Sequence, residues 1–305
     1  MTRPAIQLYS LRDLDEPLQD VIRRVADVGF EGIEFATRFE DADVEAVADA
    51  IAQTGVEPVG AHIGLDAIEA DPAEVARRYS MVGCDRLVIP HLPLAHYRTP
   101  DRVRTLARRL DALGARLAEH DAQLVYHNQV HDFLPVVRPG ALGRLLTAVN
   151  PRAAGNSKPR TAVGLLGDRL YSKYASYPRD VDVERTAFGH LVATTDPETL
   201  QFEVDVGSVV AAGYDPREVL EYVGTRAPLV HVKDVAVDGR PGPLSDMESV
   251  EPGTGLLDIP AAVEAAEDIG AEWVVYEQDS PADPITTLRN GADALARATG
   301  VARLG

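Results

Sequence analysis

The chain has 305 residues, of which 45% are hydrophobic, with a formal net charge of −18 and a single cysteine, Cys84. This length allows a large buried core, and one cysteine excludes both an internal disulfide and a cysteine-based zinc site. The strong negative charge disfavours nucleic acid as a partner. The N-terminus does not resemble a leader, and no run reaches about 18 consecutive apolar residues, so we expect a cytoplasmic protein with no membrane association.

Eight short apolar runs predict buried β-strands. Each has a strand's length and is rich in Val, Ile, Leu or aromatic residues. In chain order they are 5–10, 32–36, 58–63, 86–92, 123–128, 200–206, 229–234 and 273–279.

Amphipathic helical patterns separate most of these runs. Their apolar residues recur every three or four positions, and the first three patterns end at Gly29, Gly55 and Gly83. The predicted helices cover 18–29, 44–55, 71–83, 99–120, 215–224, 258–270 and 283–300.

Eight alternations of strand and helix predict an α/β fold, a (β/α)₈ TIM barrel, formed by a single domain over 1–305. A doubly wound open sheet is the competing interpretation, but no glycine-rich nucleotide-binding motif follows the first strand. A long insertion interrupts the alternation at about 135–198 and contains a short predicted helix at 142–149. Since it follows strand five, we expect it on the C-terminal face. Three interpretations of the insertion remain open there: a lid, a subunit contact, or a loop without a role.

Nearly every predicted strand carries a polar side chain at its C-terminal end, which is where catalytic groups lie in such barrels. Burying these groups separately and unpaired would be costly, so a shared site explains them better than structure alone. In chain order they are Gln7, Tyr9, Glu34, His62, His91, His127, Glu203, Asp205, His231, Lys233, Glu277 and Asp279.

The strand 229–234 places His231 and Lys233 two positions apart, so both side chains point to the same face. Asp205 and Glu277 come from the flanking strands, and the three non-lysine groups predict a site for a divalent cation. Oxygen-rich ligation with one imidazole suits Mn²⁺ first, then Mg²⁺ or Co²⁺, with Zn²⁺ as a further option. A fourth ligand is expected from strand five, either His127 or Gln129.

Lysine is rare in this chain. It occurs at Lys158, Lys173 and Lys233 alone, and every other basic residue is arginine. An acidic surface with few lysines is typical of salt-adapted proteins, because high ionic strength screens its self-repulsion. We therefore expect a halophilic, acidic surface, and a specific role for Lys233 among the residues of strand seven.

Eight motifs support one family resemblance. They are QLYSLRD (7–13), GFEGIEFA (29–36), GAHIG (60–64), YHNQ (126–129), FEVDVGSVVAAGYDP (202–216), LVHVKD (229–234), PGTGLLDIP (252–260) and WVVYEQD (273–279). Together they resemble the sugar phosphate isomerase/epimerase superfamily, the xylose isomerase-like TIM barrels. The motifs extend over nearly the whole chain in the family's order, apart from the insertion, and they are specific for the superfamily but not for a substrate.

The resemblance implies a metal held by a Glu or equivalent after strand five and by Asp205, His231 and Glu277 on the next three strands. The subgroup that the chain resembles usually has Tyr-His-Asn-His after strand five, whereas this chain keeps His127 and has Gln129 at the last position. A glutamine offers a neutral carbonyl oxygen and no titratable proton. This difference leaves the fourth ligand open between His127 and Gln129, and leaves one acid/base group open.

The resemblance also implies an isomerase or epimerase that acts on a sugar or polyol derivative by abstracting an α-proton, with the metal stabilising an enediolate. Glu277 would be ligand and base, His127 or His62 the opposite base, and Lys233 would stabilise developing negative charge. The substrate would contact Gln7, Glu34, His91, Gln129 and Asp279, the last of which could instead pair with Lys233. A dehydratase or lyase of the inosose or keto-sugar type and a non-catalytic sugar-binding relative are the alternatives, and a homo-oligomer is left open.

Overall fold

The computed structural model describes residues 1–97, 99–136 and 181–300. All strands except β8 and β9 pair in parallel and close into a barrel, in which β10 lies between β7 and β1. The TIM barrel and all eight predicted strands are therefore confirmed. The strands are β1 Arg3–Gln7, β2 Gly32–Phe35, β3 Glu57–His62, β4 Arg86–Ile89, β5 Gln123–His127, β6 Leu200–Asp205, β7 Leu229–Val232, β8 Val235–Val237, β9 Met247–Ser249 and β10 Trp273–Tyr276.

The helices of the described residues surround this barrel. Seven of them match the predicted helices to within three residues at either end, while α3, α6 and α7 had not been predicted. They are α1 Leu18–Asp27, α2 Val44–Thr54, α3 Leu65–Ala70, α4 Pro72–Ser80, α5 Pro100–Ala118, α6 Ala187–Thr194, α7 Val206–Ala211, α8 Pro216–Val223, α9 Ile259–Asp268 and α10 Pro284–Thr299. None of these described helices has the length and apolar content that a membrane crossing requires.

Side-chain caps explain where eight of the described helices begin. Each cap accepts a hydrogen bond from a backbone N–H in the first turn, which stabilises the helix by about 1 kcal/mol. In five of these helices, α4, α5, α8, α9 and α10, proline follows within the first two helical positions, where its missing N–H needs no partner. The capping residues are Asp43, Asp71, Thr99, Thr186, Asp205, Asp215, Asp258 and Asp283.

Apolar side chains fill the interior of the barrel beneath its C-terminal end. The cluster consists of Ala5, Val59, Val88, Val125, Leu229, Trp273 and Val275, all at most 4% exposed. Side chains two positions further along a strand point to the same face. Gln7, His127, His231 and Glu277 therefore follow Ala5, Val125, Leu229 and Val275 as the next layer of the interior, and this layer is polar.

Most of the predicted insertion, residues 137–180 including the helix predicted at 142–149, lies outside the described residues. Its two ends meet: Val136 N donates to Arg185 O at 3.0 Å, and Ala187 N donates to Leu134 O at 2.9 Å. Within the range predicted for the insertion, about 135–198, α6 packs against α5 and belongs to the helical layer of the barrel. Phe188 of α6 also contacts Phe133, with ring centroids 5.3 Å apart.

Candidate functional site

The C-terminal end of the barrel contains a cluster of buried polar and ionisable side chains. Eight of them are at most 5% exposed, while His62 and Asp279 lie half-buried at the edge of the cluster. The strands therefore bring together ten of the residues named from the sequence. The eight buried residues are Gln7, Glu34, His127, Glu203, Asp205, His231, Lys233 and Glu277.

His231 lies at the centre of this cluster. Its Nδ1 is 3.1 Å from Glu277 Oε2, and its Nε2 is 2.7 Å from Glu34 Oε2 and 3.0 Å from Glu203 Oε1. Burial alone would lower the pKa of His231, but the surrounding carboxylates, Glu203 first, hold it well above the ordinary value. The imidazole thus connects the barrel interior with the mouth.

Lys233 lies against three carboxylates at the mouth. Its Nζ is 2.9 Å from Glu277 Oε2, 3.1 Å from Asp205 Oδ2 and 3.1 Å from Asp279 Oδ2. Burial opposes the charged form of Lys233, but Asp205 and Glu277 outweigh it and raise the pKa of the ammonium well above its ordinary value. His231 and Lys233 thus reach one oxygen of Glu277 from the common face that their spacing along the strand predicts.

Deeper in the barrel, Glu34 and Glu203 lie next to each other. His62 Nε2 is 2.8 Å from Glu203 Oε2 and 3.3 Å from Glu34 Oε2, and Gln7 Nε2 donates to Glu34 Oε2 at 2.6 Å. Burial and the adjacent Glu203 raise the pKa of Glu34 to about 7. Both Gln7 and Glu34 are fully enclosed, so their contact with a substrate stays a prediction.

Glu203 received no role from the sequence, although it belongs to the centre of the cluster. Burial would raise its pKa, but His231 and His62 hold it well below the ordinary value. A signal was available, since Glu203 precedes Asp205 by two positions and therefore faces the same side of β6. The strand register then places Glu203 directly opposite His127 of β5, and so within the cluster.

Two groups of side chains in the described residues have ligand atoms within 4.8 Å of one another. One comprises His62, His127, Glu203 and His231, and the other comprises His127, Asp205 and Glu277. Of the four ligands expected from the sequence, the second group thus contains three. His231 contacts Glu277 but belongs to the first group.

His127 is shared by both groups. Its Nε2 is buried, has no hydrogen-bond partner among the described residues, and lies 3.9 Å from Asp205 Oδ2. Burial and the neighbouring His231 lower its pKa to about 4, so the ring is neutral at physiological pH. Together with the carboxylates, this buried His/Asp/Glu cluster has the donor set of a divalent-metal site.

The chain that follows β5 fixes the orientation of His127. Gln129 Nε2 donates to Pro90 O at 2.9 Å and lies 3.2 Å from His127 Nδ1. Asp132 in turn accepts from Gln129 N at 3.0 Å and from the Tyr126 hydroxyl at 2.5 Å. Gln129 therefore lies against the Nδ1 side of the His127 ring, and its predicted contact with a substrate stays a prediction.

The burial of Asp132 predicts that the free energy of unfolding depends on pH. Burial raises its pKa to about 6, so the folded chain binds the proton more tightly than the unfolded chain. The resulting stabilisation is present at low pH and is lost as the pH rises through about 6. We expect the free energy of unfolding of the wild type, relative to Asp132→Asn, to fall by about 1–2 kcal/mol between pH 5 and 7.5. Urea titrations of both proteins measure this difference, and a constant difference would contradict the raised pKa.

His91 is the predicted site residue that the structure separates from both donor groups. It follows β4, is exposed, and packs edge-on against His131 with ring centroids 5.6 Å apart. The contact of His91 with a substrate therefore stays a prediction. Asp279, in contrast, pairs with Lys233, which was the alternative given for it.

These features define the protein as a (β/α)₈ barrel with a buried histidine and carboxylate cluster at its C-terminal end. Its structural neighbours across the full chain are sugar phosphate isomerase/epimerase and xylose isomerase-like TIM barrel proteins. No protein-family model and no curated protein sequence matches the chain.

Three solved structures illustrate the likeness. A sugar phosphate isomerase/epimerase from Parabacteroides distasonis ATCC 8503 is 17% identical, with a TM-score of 0.69 over 99% of this chain and 100% of that one. The IOLI protein with a bound zinc atom is 14% identical, with a TM-score of 0.67 over 98% of each chain. The probable 3-DHS dehydratase AsbF from Bacillus anthracis is 12% identical, with a TM-score of 0.62 over 97% of this chain and 99% of that one. At these identities the likeness shows a shared fold.

Proposed function

We propose that the protein is a divalent-metal-dependent isomerase or epimerase that acts on a sugar or polyol derivative by abstracting an α-proton. The observation on which this depends is the convergence of ligand atoms from His127, Asp205 and Glu277, with Lys233 and His231 against the same Glu277 oxygen. This arrangement combines a cation site with a fixed positive charge and with side chains that can move a proton.

The group of His127, Asp205 and Glu277, at the mouth of the barrel, fits a metal better than the deeper group does. The deeper group comprises His62, His127, Glu203 and His231. The deeper group has one carboxylate, Glu203, which already lies 2.8 Å from His62 and 3.0 Å from His231. The mouth group combines two carboxylates, Asp205 and Glu277, with the neutral His127, which is the more oxygen-rich donor set. We therefore assign Asp205, Glu277 and His127 as ligands, with His231 as the fourth.

The proposed roles follow from the contacts of each side chain. The cation would polarise the substrate carbonyl and stabilise negative charge on its oxygens, with Mn²⁺ as the first choice and Mg²⁺, Co²⁺ or Zn²⁺ as others. Glu277, held by Lys233 and His231, accepts the α-proton on one side. His62 and His127 are the candidates that return a proton on the other side, and Lys233 stabilises the developing oxyanion.

A dehydratase or lyase on the same site is the second candidate. The likeness to a probable 3-DHS dehydratase over 97% of this chain favours it. Both reactions begin with the loss of a proton next to a carbonyl, so the same residues serve in both. The products distinguish them, because a lyase forms a double bond with the loss of water or another group, whereas an isomerase or epimerase conserves the composition of its substrate.

Solvent exchange tests the proposal directly. The protein is stripped with a chelator, reloaded with Mn²⁺, and incubated in D₂O with a panel of free and phosphorylated sugars, inososes and keto-sugars. We expect deuterium to enter one substrate at the carbon next to the carbonyl, and expect chelator to abolish this exchange. A protein that binds no divalent cation and exchanges no substrate would contradict the proposal and favour a non-catalytic sugar-binding protein.

A further inference from the structure

The side chain of Asn128 continues the pairing of β5 with β6 by one step. The strand register ends with His127 opposite Glu203. Beyond it, Asn128 Oδ1 accepts from Asp205 N at 3.1 Å, and Asn128 Nδ2 donates to Asp205 O at 3.3 Å. A side-chain amide thus takes the place of a backbone amide at the point where the two strands separate.

We infer that Asn128 is a positioning residue that holds Asp205 in the geometry of a metal ligand; this inference depends on the proposed function. Asn128 is fully buried, and its two hydrogen bonds fix the backbone of Asp205 from the side of β5. On the other side Asp205 pairs with His231 of β7. The backbone of Asp205 is therefore held from both neighbouring strands, and on one of them the hold depends on a single side chain.

The carboxylate of Asp205 is held separately from its backbone. Ser208 N donates to Oδ1 at 3.0 Å, and the Ser208 hydroxyl donates to Oδ2 at 2.7 Å. Oδ2 also faces Lys233 at 3.1 Å and His127 Nε2 at 3.9 Å. Oδ1 caps α7, so Oδ2 is the oxygen available to a cation, and a small shift of the Asp205 backbone would turn it away from His127.

Loss of Asn128 should therefore affect metal binding more than folding. The β6–β7 pairing and the Ser208 contacts remain in an Asn128→Ala variant, but the amide of Asp205 loses its partner. Outer partners of metal ligands typically contribute 10–100-fold to metal affinity. We expect Mn²⁺ affinity to fall by about this factor in Asn128→Ala and also in Asn128→Asp, which can accept from Asp205 N but cannot donate to Asp205 O.

Calorimetric titration of Mn²⁺ into chelator-stripped protein measures this effect, and hydrogen exchange at the Asp205 amide gives a readout that does not involve the metal. Thr195→Ala is the matched control. The Thr195 hydroxyl is buried and donates to Leu191 O at 2.8 Å, and the residue precedes β6 at the opposite end of the barrel. This control should bind Mn²⁺ like the wild type, even where its thermal stability falls as much as that of Asn128→Ala.

The outcomes separate this inference from the proposed function. Weaker Mn²⁺ binding in both Asn128 variants, faster exchange at Asp205 and normal binding in the control support it. If the wild type and both Asn128 variants bind Mn²⁺ equally, or if the control loses as much affinity as they do, the inference is overturned while the proposed function stands. A wild type that takes up no divalent cation overturns both.

Discussion

Replacing Glu277 with glutamine is expected to abolish most of the metal binding and most of the solvent exchange. Glu277 Oε2 accepts from His231 and Lys233, at 3.1 and 2.9 Å, and belongs to the donor group at the mouth. A glutamine keeps the size of the side chain but loses the charge and the ability to accept a proton. The affinity for Mn²⁺ should fall by more than the roughly 10–100-fold that is typical of losing an outer partner of a ligand. Exchange should fall by about 10²–10⁴-fold, the usual contribution of a positioned base.

Asp279→Asn is the matched control for this variant. It removes the same charge two positions away and also changes a contact of Lys233, 3.1 Å from Asp279 Oδ2. Asp279 lies outside both donor groups and is half-buried, so its loss should change the Mn²⁺ affinity by less than about tenfold, in line with a partly screened surface charge. Equal losses of affinity in the two variants would mean that the net charge of the mouth, rather than ligation by Glu277, governs metal binding.

The strands could be predicted because both faces of a barrel strand are buried, which produces short and nearly continuous apolar runs. The unpredicted elements are short. Helices α3 and α7 have six residues each, which is too few for an apolar period to emerge, and α6 lies within the range 135–198 that was assigned to the insertion. Helix α7 was further hidden because its sequence VGSVVA continues the apolar run of β6, and its start depends on Asp205 acting as the cap.

The site could be predicted as a set of strand positions, but its pairings could not. Alternation along β7 gives the common face of His231 and Lys233, yet only the stagger of the closed barrel determines that both reach Glu277. The role of Glu203 was missed for the same reason. Periodicity states which face a side chain lies on, whereas the choice between several carboxylates depends on side-chain reach across three strands.

Asp234 illustrates a contact that sequence reasoning could not supply. Its buried carboxylate accepts from the backbone N–H groups of Val235, Gly253, Gly255 and Leu257, at 2.8–3.0 Å. Three of these donors lie about twenty residues further along the chain, beyond the β8–β9 hairpin. Gly255 is required here, because a Cβ on it would lie 2.3 Å from Asp234 Oδ1. The hairpin also contributes Ser249, whose hydroxyl accepts from Asp279 N at 3.3 Å. The hairpin therefore holds the backbone that follows β10.

Replacing Lys233 with methionine is expected to move metal affinity and activity in opposite directions. The ammonium now lies between Asp205 and Glu277, where it competes with a divalent cation for the same oxygens. Its removal takes the neighbouring positive charge from these buried carboxylates, although Glu277 keeps His231 and Asp205 keeps Ser208. This loss should destabilise the metal-free protein by roughly 3 kcal/mol. Mn²⁺ should compensate, so its affinity should rise by at least about tenfold, and the melting temperature should increase more on Mn²⁺ addition than in the wild type. Solvent exchange should nevertheless fall by about 10²-fold or more, because the charge that stabilises the oxyanion is lost.

Arg12→Met is the control for the Lys233 variant, because it removes one positive charge from the same rim. The Arg12 guanidinium donates to Tyr9 O and Asp279 O, and so holds backbone atoms rather than the carboxylates of Asp205 and Glu277. Thermal unfolding with and without Mn²⁺, together with deuterium exchange, measures both effects in each variant. Since Glu277→Gln lowers affinity and exchange together, an Lys233→Met protein that does the same would identify the lysine as a support for the metal site. Higher affinity with slower exchange instead separates the two roles: Glu277 binds the cation, and Lys233 acts on the substrate.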